Sequence, residues 1–155
     1  NQKMSVTDNG LCFGTDSASA NALDDYEEGS FTPGLSNGGT LTVYSCKYTK
    51  IGREVTIHAY FYVQDIPDNG NNFLITGLPY AITSDTSAIA GGCWSYGGNL
   101  TDAYKMAPSG SPGGSVAHFY WLDGANSGGI LQNNSFDGTG PNNTRYIGFK
   151  LFYYT

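Results

Sequence analysis

"VTIHAYFYVQ", residues 55–64, alternates without a break. Val55, Ile57, Ala59, Phe61 and Val63 occupy the odd positions; Thr56, His58, Tyr60, Tyr62 and Gln64 occupy the even ones. A period of two belongs to an extended strand, whose successive side chains point to opposite faces. The stretch therefore predicts a strand with one aliphatic face and one face of Tyr, His and polar groups. Residues 145–154 repeat the pattern. Ile147, Phe149, Leu151 and Tyr153 lie one way; Tyr146, Lys150, Phe152 and Tyr154 lie the other.

The same periodicity predicts shorter strands at residues 41–48, 73–76, 89–96, 116–121 and 130–132. Between them stand turn signals: "PDNGNN" at 67–72, "PSGSPGG" at 108–114, "DGANSGG" at 123–129 and "DGTGPNN" at 137–143. Many short strands joined by Gly-rich turns predict an all-β fold, a jelly-roll-like β-sandwich. Composition agrees: 22 Gly, 12 Tyr and only 13% charged residues in 155 favour turns and strands over helices. That length predicts one domain with a real core. Residues 17–28 alone have fair helix composition, enough for a turn or two.

The even face of the two long strands is unusual. A solvated sheet face holds Lys, Glu, Thr and Ser; this one holds Tyr60, Tyr62, Tyr146, Phe152 and Tyr154. An aromatic patch of that kind is rarely left bare on a monomer, and Tyr suits an interface because its ring buries apolar area while its hydroxyl keeps a hydrogen bond. These five residues are assigned to a contact with further copies of the chain. The alternative is cover from loops or a second sheet of the same chain.

Net charge −6 with 7 Lys plus Arg argues against a nucleic-acid partner. No apolar run reaches the roughly 18 residues that span a bilayer, so no membrane insertion is expected. The chain opens on Asn1 without a secretory leader and is expected to be processed or cut from a longer protein. Cys12, Cys46 and Cys93 are odd in number and lack metal-like spacing; they read as isolated thiols of a protein made in a reducing cytosol.

One short stretch concentrates charge. "LDDYEEGSFTP" (residues 23–33) carries Asp24, Asp25, Glu27 and Glu28, four of the 13 acids. It resembles a signature of bacteriophage tail fibres and related virion appendages, in which an apolar-Gly-apolar-Phe segment leads to Leu-Asp-Asp-Tyr-Glu-Glu-Gly, an aromatic, Thr and Pro. Here these are "GLCFG" (10–14), residues 23–29, Phe31, Thr32 and Pro33. The likeness continues in "YTKIG" (48–52), in "ITGLP" (75–79) and in the Tyr-bearing terminal segment 147–155. It covers residues 10–80 and 144–155, and leaves 81–143 unmatched.

The resemblance implies a trimeric all-β head at the distal end of a virion fibre or spike. Residues 1–33 would be the lead-in and acidic joint from an upstream shaft, and 34–155 the head. The chain would be made in the bacterial cytoplasm and carried on the virion. In the joint, Leu23, Tyr26, Phe31 and Pro33 would pin the chain while the four carboxylates stay solvated or pair with Lys and Arg of a neighbouring chain. "DDYEEG" lacks the alternating ligands of a calcium loop, and neighbouring residues in one turn cannot flank a glycosidic bond. No metal, cofactor or catalytic role is expected of it. His58 and His118 sit mid-strand and read as packed side chains; no Gly-x-Ser-x-Gly elbow occurs.

The unmatched middle carries Trp94, Tyr96, Tyr104, Tyr120 and Trp121 among Asn, Ser and Gly. Rings that stack on sugar C–H faces, beside short polar side chains, make a recognition surface. Trp94, Tyr96, Tyr104, Asn133 and Asn134 are the candidate ligand residues, with Trp121 held for the core. The expected function is recognition of the bacterial host surface, through a glycan or another receptor, by a non-enzymatic homotrimer. The alternative is a purely structural trimerisation cap or capsid-decoration fibre without a ligand. A glycan-cleaving spike with its active site upstream or between subunits is the third reading.

Overall fold

The computed structural model describes residues 4–8, 10–14, 23, 25–36, 38–66, 70–85, 90–97, 107–122, 128–132 and 146–155; at 94–97, 121, 122 and 128 it describes the backbone alone. The described residues form strands and no helix: β1 (Met4–Thr7), β2 (Gly10–Phe13), β3 (Tyr26–Ser30), β4 (Gly34–Leu35), β5 (Thr40–Ile51), β6 (Glu54–Asp65), β7 (Leu74–Thr76), β8 (Gly91–Gly97), β9 (Ala107–Gly110), β10 (Val116–Leu122), β11 (Gly128–Ile130) and β12 (Tyr146–Tyr154). The all-β architecture expected from the periodicity is the one observed.

β1 and β2 pair as a separate hairpin. The others make one antiparallel sheet in the order β3-β5-β6-β12-β8-β9-β10-β7-β4, with β11 beside β10. The sheet curls on itself in the manner of a sandwich. β10 is three places from β12 in that order, yet Phe119 of β10 packs edge-on against Phe149 of β12, ring centroids 5.1 Å apart. Phe61 meets Phe149 from the other side at 6.3 Å, and Phe73 meets Phe119 at 5.8 Å. This line of rings runs through the core.

β6 shows why the curl holds. Its odd residues are all buried, from Val55 to Val63, while Tyr60 and His58 are exposed. β12 likewise buries Ile147, Phe149, Leu151 and Tyr153. Burying each large apolar side chain contributes about 1.5–3 kcal/mol. A register slip of one residue would expose them all.

Two local expectations need correction. The stretch with helix composition ends in a strand, since Tyr26–Ser30 pairs with residues 47–51 of β5. Pro108 and Gly110, expected in a turn, lie in β9, where Pro108 is fully buried opposite Phe119. The missing amide of Pro108 is tolerated because β9 meets β8 at a single pair, Gly91 with Ser109. The lead-in contributes the β1–β2 hairpin, bridged to Leu23, and leaves Met4, Val6 and Phe13 exposed, Val6 to 81%. The division expected at residue 33 does not fall at a break in pairing, because β3 on one side and β4 on the other both belong to the large sheet.

Candidate functional site

The acidic stretch is resolved by strand register. On the inner face, Glu27 of β3, Lys50 of β5, Val55 of β6 and Tyr153 of β12 stand side by side. The row passes from solvent to core: Glu27 is exposed, Lys50 is 8% exposed, and Val55 and Tyr153 are buried. Lys50 forms an ion pair with Asp25 and lies 5.5 Å from the centre of the Tyr80 ring. Tyr48 and Tyr80, their rings edge-to-face at 5.6 Å, both donate hydroxyl hydrogen bonds to Glu27, Tyr80 at 2.5 Å.

The carboxylates are therefore not all left to solvent, as the sequence reading expected. Asp25 and Glu27 are bonded within the chain, and Glu28 accepts the Tyr26 hydroxyl on the opposite face; Asp24 lies outside the described residues. The two tyrosine donors, with Lys50 nearby, hold the Glu27 carboxyl below its ordinary range. A general base works best with a pKa near the operating pH, so Glu27 is suited to clasping strands together. The Glu27 carboxylate in turn pushes the Tyr80 and Tyr48 hydroxyls up.

The separated sequence blocks meet in this clasp. Glu27 and Gly29 come from the acidic stretch, Tyr48 and Lys50 from "YTKIG", and Tyr80 follows "ITGLP" directly. Gly77, at φ +79°, sits so close to Thr32 that a Cβ there would lie 2.5 Å from the Thr32 carbonyl oxygen. Both the left-handed backbone and the contact call for glycine.

The outer face is built differently. β5 carries a bulge at Tyr44: Val43 pairs with Phe61 and Ser45 with Tyr60, leaving Tyr44 as the extra residue. Tyr44 thereby joins the even face of β6. Its ring lies 5.3 Å from Tyr60 and 5.9 Å from Tyr146; Tyr60 and Tyr146 stack at 6.0 Å with planes 17° apart; Tyr62 lies 5.0 Å from Tyr146. Tyr44 and Tyr60 make these contacts while exposed, where a substitution away from the core changes stability little. Tyr44 remains 53% exposed. A hydrogen bond with Tyr146 raises the Tyr44 hydroxyl pKa, and desolvation adds to it.

Next along the strands comes a row of cations. Lys47 of β5, His58 of β6 and Lys150 of β12 are register neighbours, with Ser30 of β3 beyond Lys47 and Cys93 of β8 beyond Lys150. Partial burial, then the nearby Lys150 charge, lower the His58 pKa. A shallow cavity of about 250 Å³ opens among Ser45, Lys47, Tyr48, Thr49, Thr56 and His58. Past it lies an apolar end where Tyr26, Ile51, Phe152 and Tyr154 are exposed.

The five residues assigned to a copy contact thus share one face, with Tyr60, Tyr62 and Tyr146 at the tyrosine end and Phe152 and Tyr154 at the apolar end. Tyr44 was missed because strict alternation cannot show a bulge. Of the candidate ligand residues, Trp94 and Tyr96 belong to β8, their backbones paired with Phe149 and Gly148; their side chains lie outside the described residues, as do Tyr104, Asn133 and Asn134. His118 is buried in β10, with Ser111 Oγ 3.4 Å from its Nδ1 and Tyr120 edge-on at 5.0 Å. Burial lowers its pKa. Among the described residues no group of three or more His, Cys, Asp or Glu is placed to hold a metal ion. Comparison with protein-family models, with curated proteins and with solved structures found no match.

Proposed function

We propose that this chain is the head of a bacteriophage fibre or related virion appendage, a non-enzymatic homotrimer that attaches the particle to the bacterial surface through glycans. The observation that carries the reading is the outer face of β5, β6 and β12. Tyr44, Tyr60, Tyr62 and Tyr146 form a contiguous cluster there, Tyr44 and Tyr60 exposed and Tyr62 and Tyr146 half-buried. Exposed clusters of this kind mark interaction sites. β8, with Trp94 and Tyr96, flanks β12 and extends the same sheet. The meeting of the sequence blocks in one clasp supports reading them as parts of a single head.

The face divides between two partners. The tyrosine end goes to the ligand. The apolar end, Tyr26, Ile51, Phe152 and Tyr154, goes to neighbouring copies, together with the exposed Met4, Val6 and Phe13 of the hairpin. Three weak sites on one trimer raise attachment by about 10²–10⁴ over a single site.

Binding of the purified chain to host cells, and to arrays of their surface glycans, tests the reading. Tyr60→Ala with Tyr146→Ala, and Trp94→Ala separately, should abolish attachment while the melting temperature stays within a few degrees. Normal attachment by both variants sinks it. The second reading, a structural cap with the whole outer face buried between copies, is favoured by the aromatic residues running to both ends of that face. Cys93 separates the two. It is exposed beside Lys150, whereas Cys12 and Cys46 are buried. One thiol reacting promptly with a water-soluble reagent in the assembled protein supports the open face, and full protection supports the cap.

A further inference from the structure

The cation row is the part of the outer face that a neutral ligand leaves unused. Lys47 and Lys150 are two of only 7 Lys plus Arg in a chain of net charge −6. Neighbouring strands are about 4.8 Å apart, so Lys47 and Lys150 stand within about 10 Å of each other across His58, whose pKa partial burial and the Lys150 charge lower. Among the described residues Lys50 pairs with Asp25, and neither Lys47 nor Lys150 forms an ion pair with a described carboxylate. The nearest acids on this face are Glu28, which accepts the Tyr26 hydroxyl, and Glu54 at the far end of the β5–β6 hairpin. A fold that brings like charges together without counter-charge spends stability unless something anionic arrives.

The surroundings say what kind of anion. The cavity at the row is lined by the hydroxyl residues Ser45, Thr49 and Thr56 together with Lys47 and His58. Tyr60 stands one row further along, its ring partly exposed, with the Tyr44 ring tilted against it at 5.3 Å. Cations for an acidic group, hydroxyls for hydroxyls and a ring for a C–H face are the groups that an acidic sugar engages together. The volume admits one sugar ring, and the open ends of the row let a chain continue.

We propose that Lys47, His58 and Lys150, with the cavity of Ser45, Thr49 and Thr56 and the flanking ring of Tyr60, bind an acidic unit of a polysaccharide, the anion being a carboxylate or a phosphodiester. The proposal rests on the attachment reading above and names the ligand class of that face.

Titration calorimetry on the full chain tests it with three probes: oligogalacturonate for a carboxylate, poly(glycerol phosphate) for a phosphodiester, and dextran fragments as the neutral control. One acidic probe should bind and dextran should not. Raising salt from 0.05 to 0.5 M should weaken binding at least tenfold, since exposed charges are screened over a few ångströms at high salt. The double variant Lys47→Gln/Lys150→Gln removes both charges; it should lose at least tenfold in affinity with a melting temperature that does not fall. Thr56→Val, which leaves the charges in place, should lose affinity with little change in salt dependence. Failure of both acidic probes to bind overturns the proposal, and so does binding that the double lysine variant leaves intact. If cells or neutral glycans are bound through Tyr60 and Tyr146 while both acidic probes fail, the attachment reading stands and the acidic ligand falls.

Discussion

Gly29 and Tyr48 face each other across β3 and β5, and the Tyr48 ring lies so low over the glycine that a Cβ there would be 2.6 Å from ring carbon and hydroxyl oxygen. The ring crosses the strand at the gap and reaches Glu27, two residues earlier on the same face. An edge strand that reads "YEEGS" is thereby held by an aromatic lying over its glycine.

Gly29→Ala should therefore destabilise the protein by about 1–3 kcal/mol, the usual cost of forcing extra volume into a packed site. In a Tyr48→Ala background the same change should cost far less. A double-mutant cycle from urea unfolding measures the difference. Additive effects would mean that the ring and the glycine do not depend on each other.

Stability should fall on acidification in two stages. His58 and His118 have lowered folded pKa values. Below the ordinary histidine value of about 6.5 the unfolded chain takes up protons that the folded chain refuses, so stability is lost from there down to the folded values. Glu27, also lowered, contributes stability that is complete above the unfolded carboxylate value of about 4.3 and lost as pH drops through its folded value. Urea midpoints from pH 8 to pH 3 check this. His118→Asn should remove part of the first loss and Glu27→Gln the second.

Ile51→Glu and Phe152→Glu should convert the proposed trimer to monomer. Each adds a carboxylate beside Glu54, the register partner of Ile51 and Tyr154, and removes a large apolar side chain whose burial between copies contributes roughly 1.5–3 kcal/mol. Sedimentation at micromolar concentration should show one species near three times 16.5 kDa for the parent chain and one near 16.5 kDa for the variants. A monomeric parent would refute the expected assembly.

Core and face should respond in opposite ways. Phe149→Ala removes a ring that is 1% exposed and touches both Phe61 and Phe119; it should cost about 3–5 kcal/mol. Tyr44→Ala should cost under about 1 kcal/mol, yet reduce attachment to cells. Calorimetric melting beside cell binding separates the two effects.

β6 and β12 were legible because their alternation is long and bounded by turns, and burial follows it residue by residue. β3 and β9 were not. "YEEGS" has no strand pattern of its own; its extended state comes from Tyr48 and Tyr80, contributed from 21 and 53 positions away. In β9, Pro108 and Gly110 read locally as a turn and are overruled by packing under Phe119 and Ile82. The cation row was invisible for a related reason. Lys47, His58 and Lys150 are unremarkable singly and become neighbours only through two strand pairings, one of which follows the Tyr44 bulge that shifts the phase of β5.

β12 sits between β6 and β8, yet follows in the sequence every strand that it joins. During synthesis β3, β5 and β6 can zip together early, and so can β10 with β7 and β9, but these two sub-sheets share no seam until residues 146–154 have left the ribosome. The nascent chain must carry the bare edge of β6, with its backbone amides and carbonyls unpaired, until β12 is made about eighty residues later. Folding should be slow, since the closing contacts span about ninety residues. A synthetic peptide of the β12 sequence, supplied to a chain lacking it, should complete the sheet by strand addition.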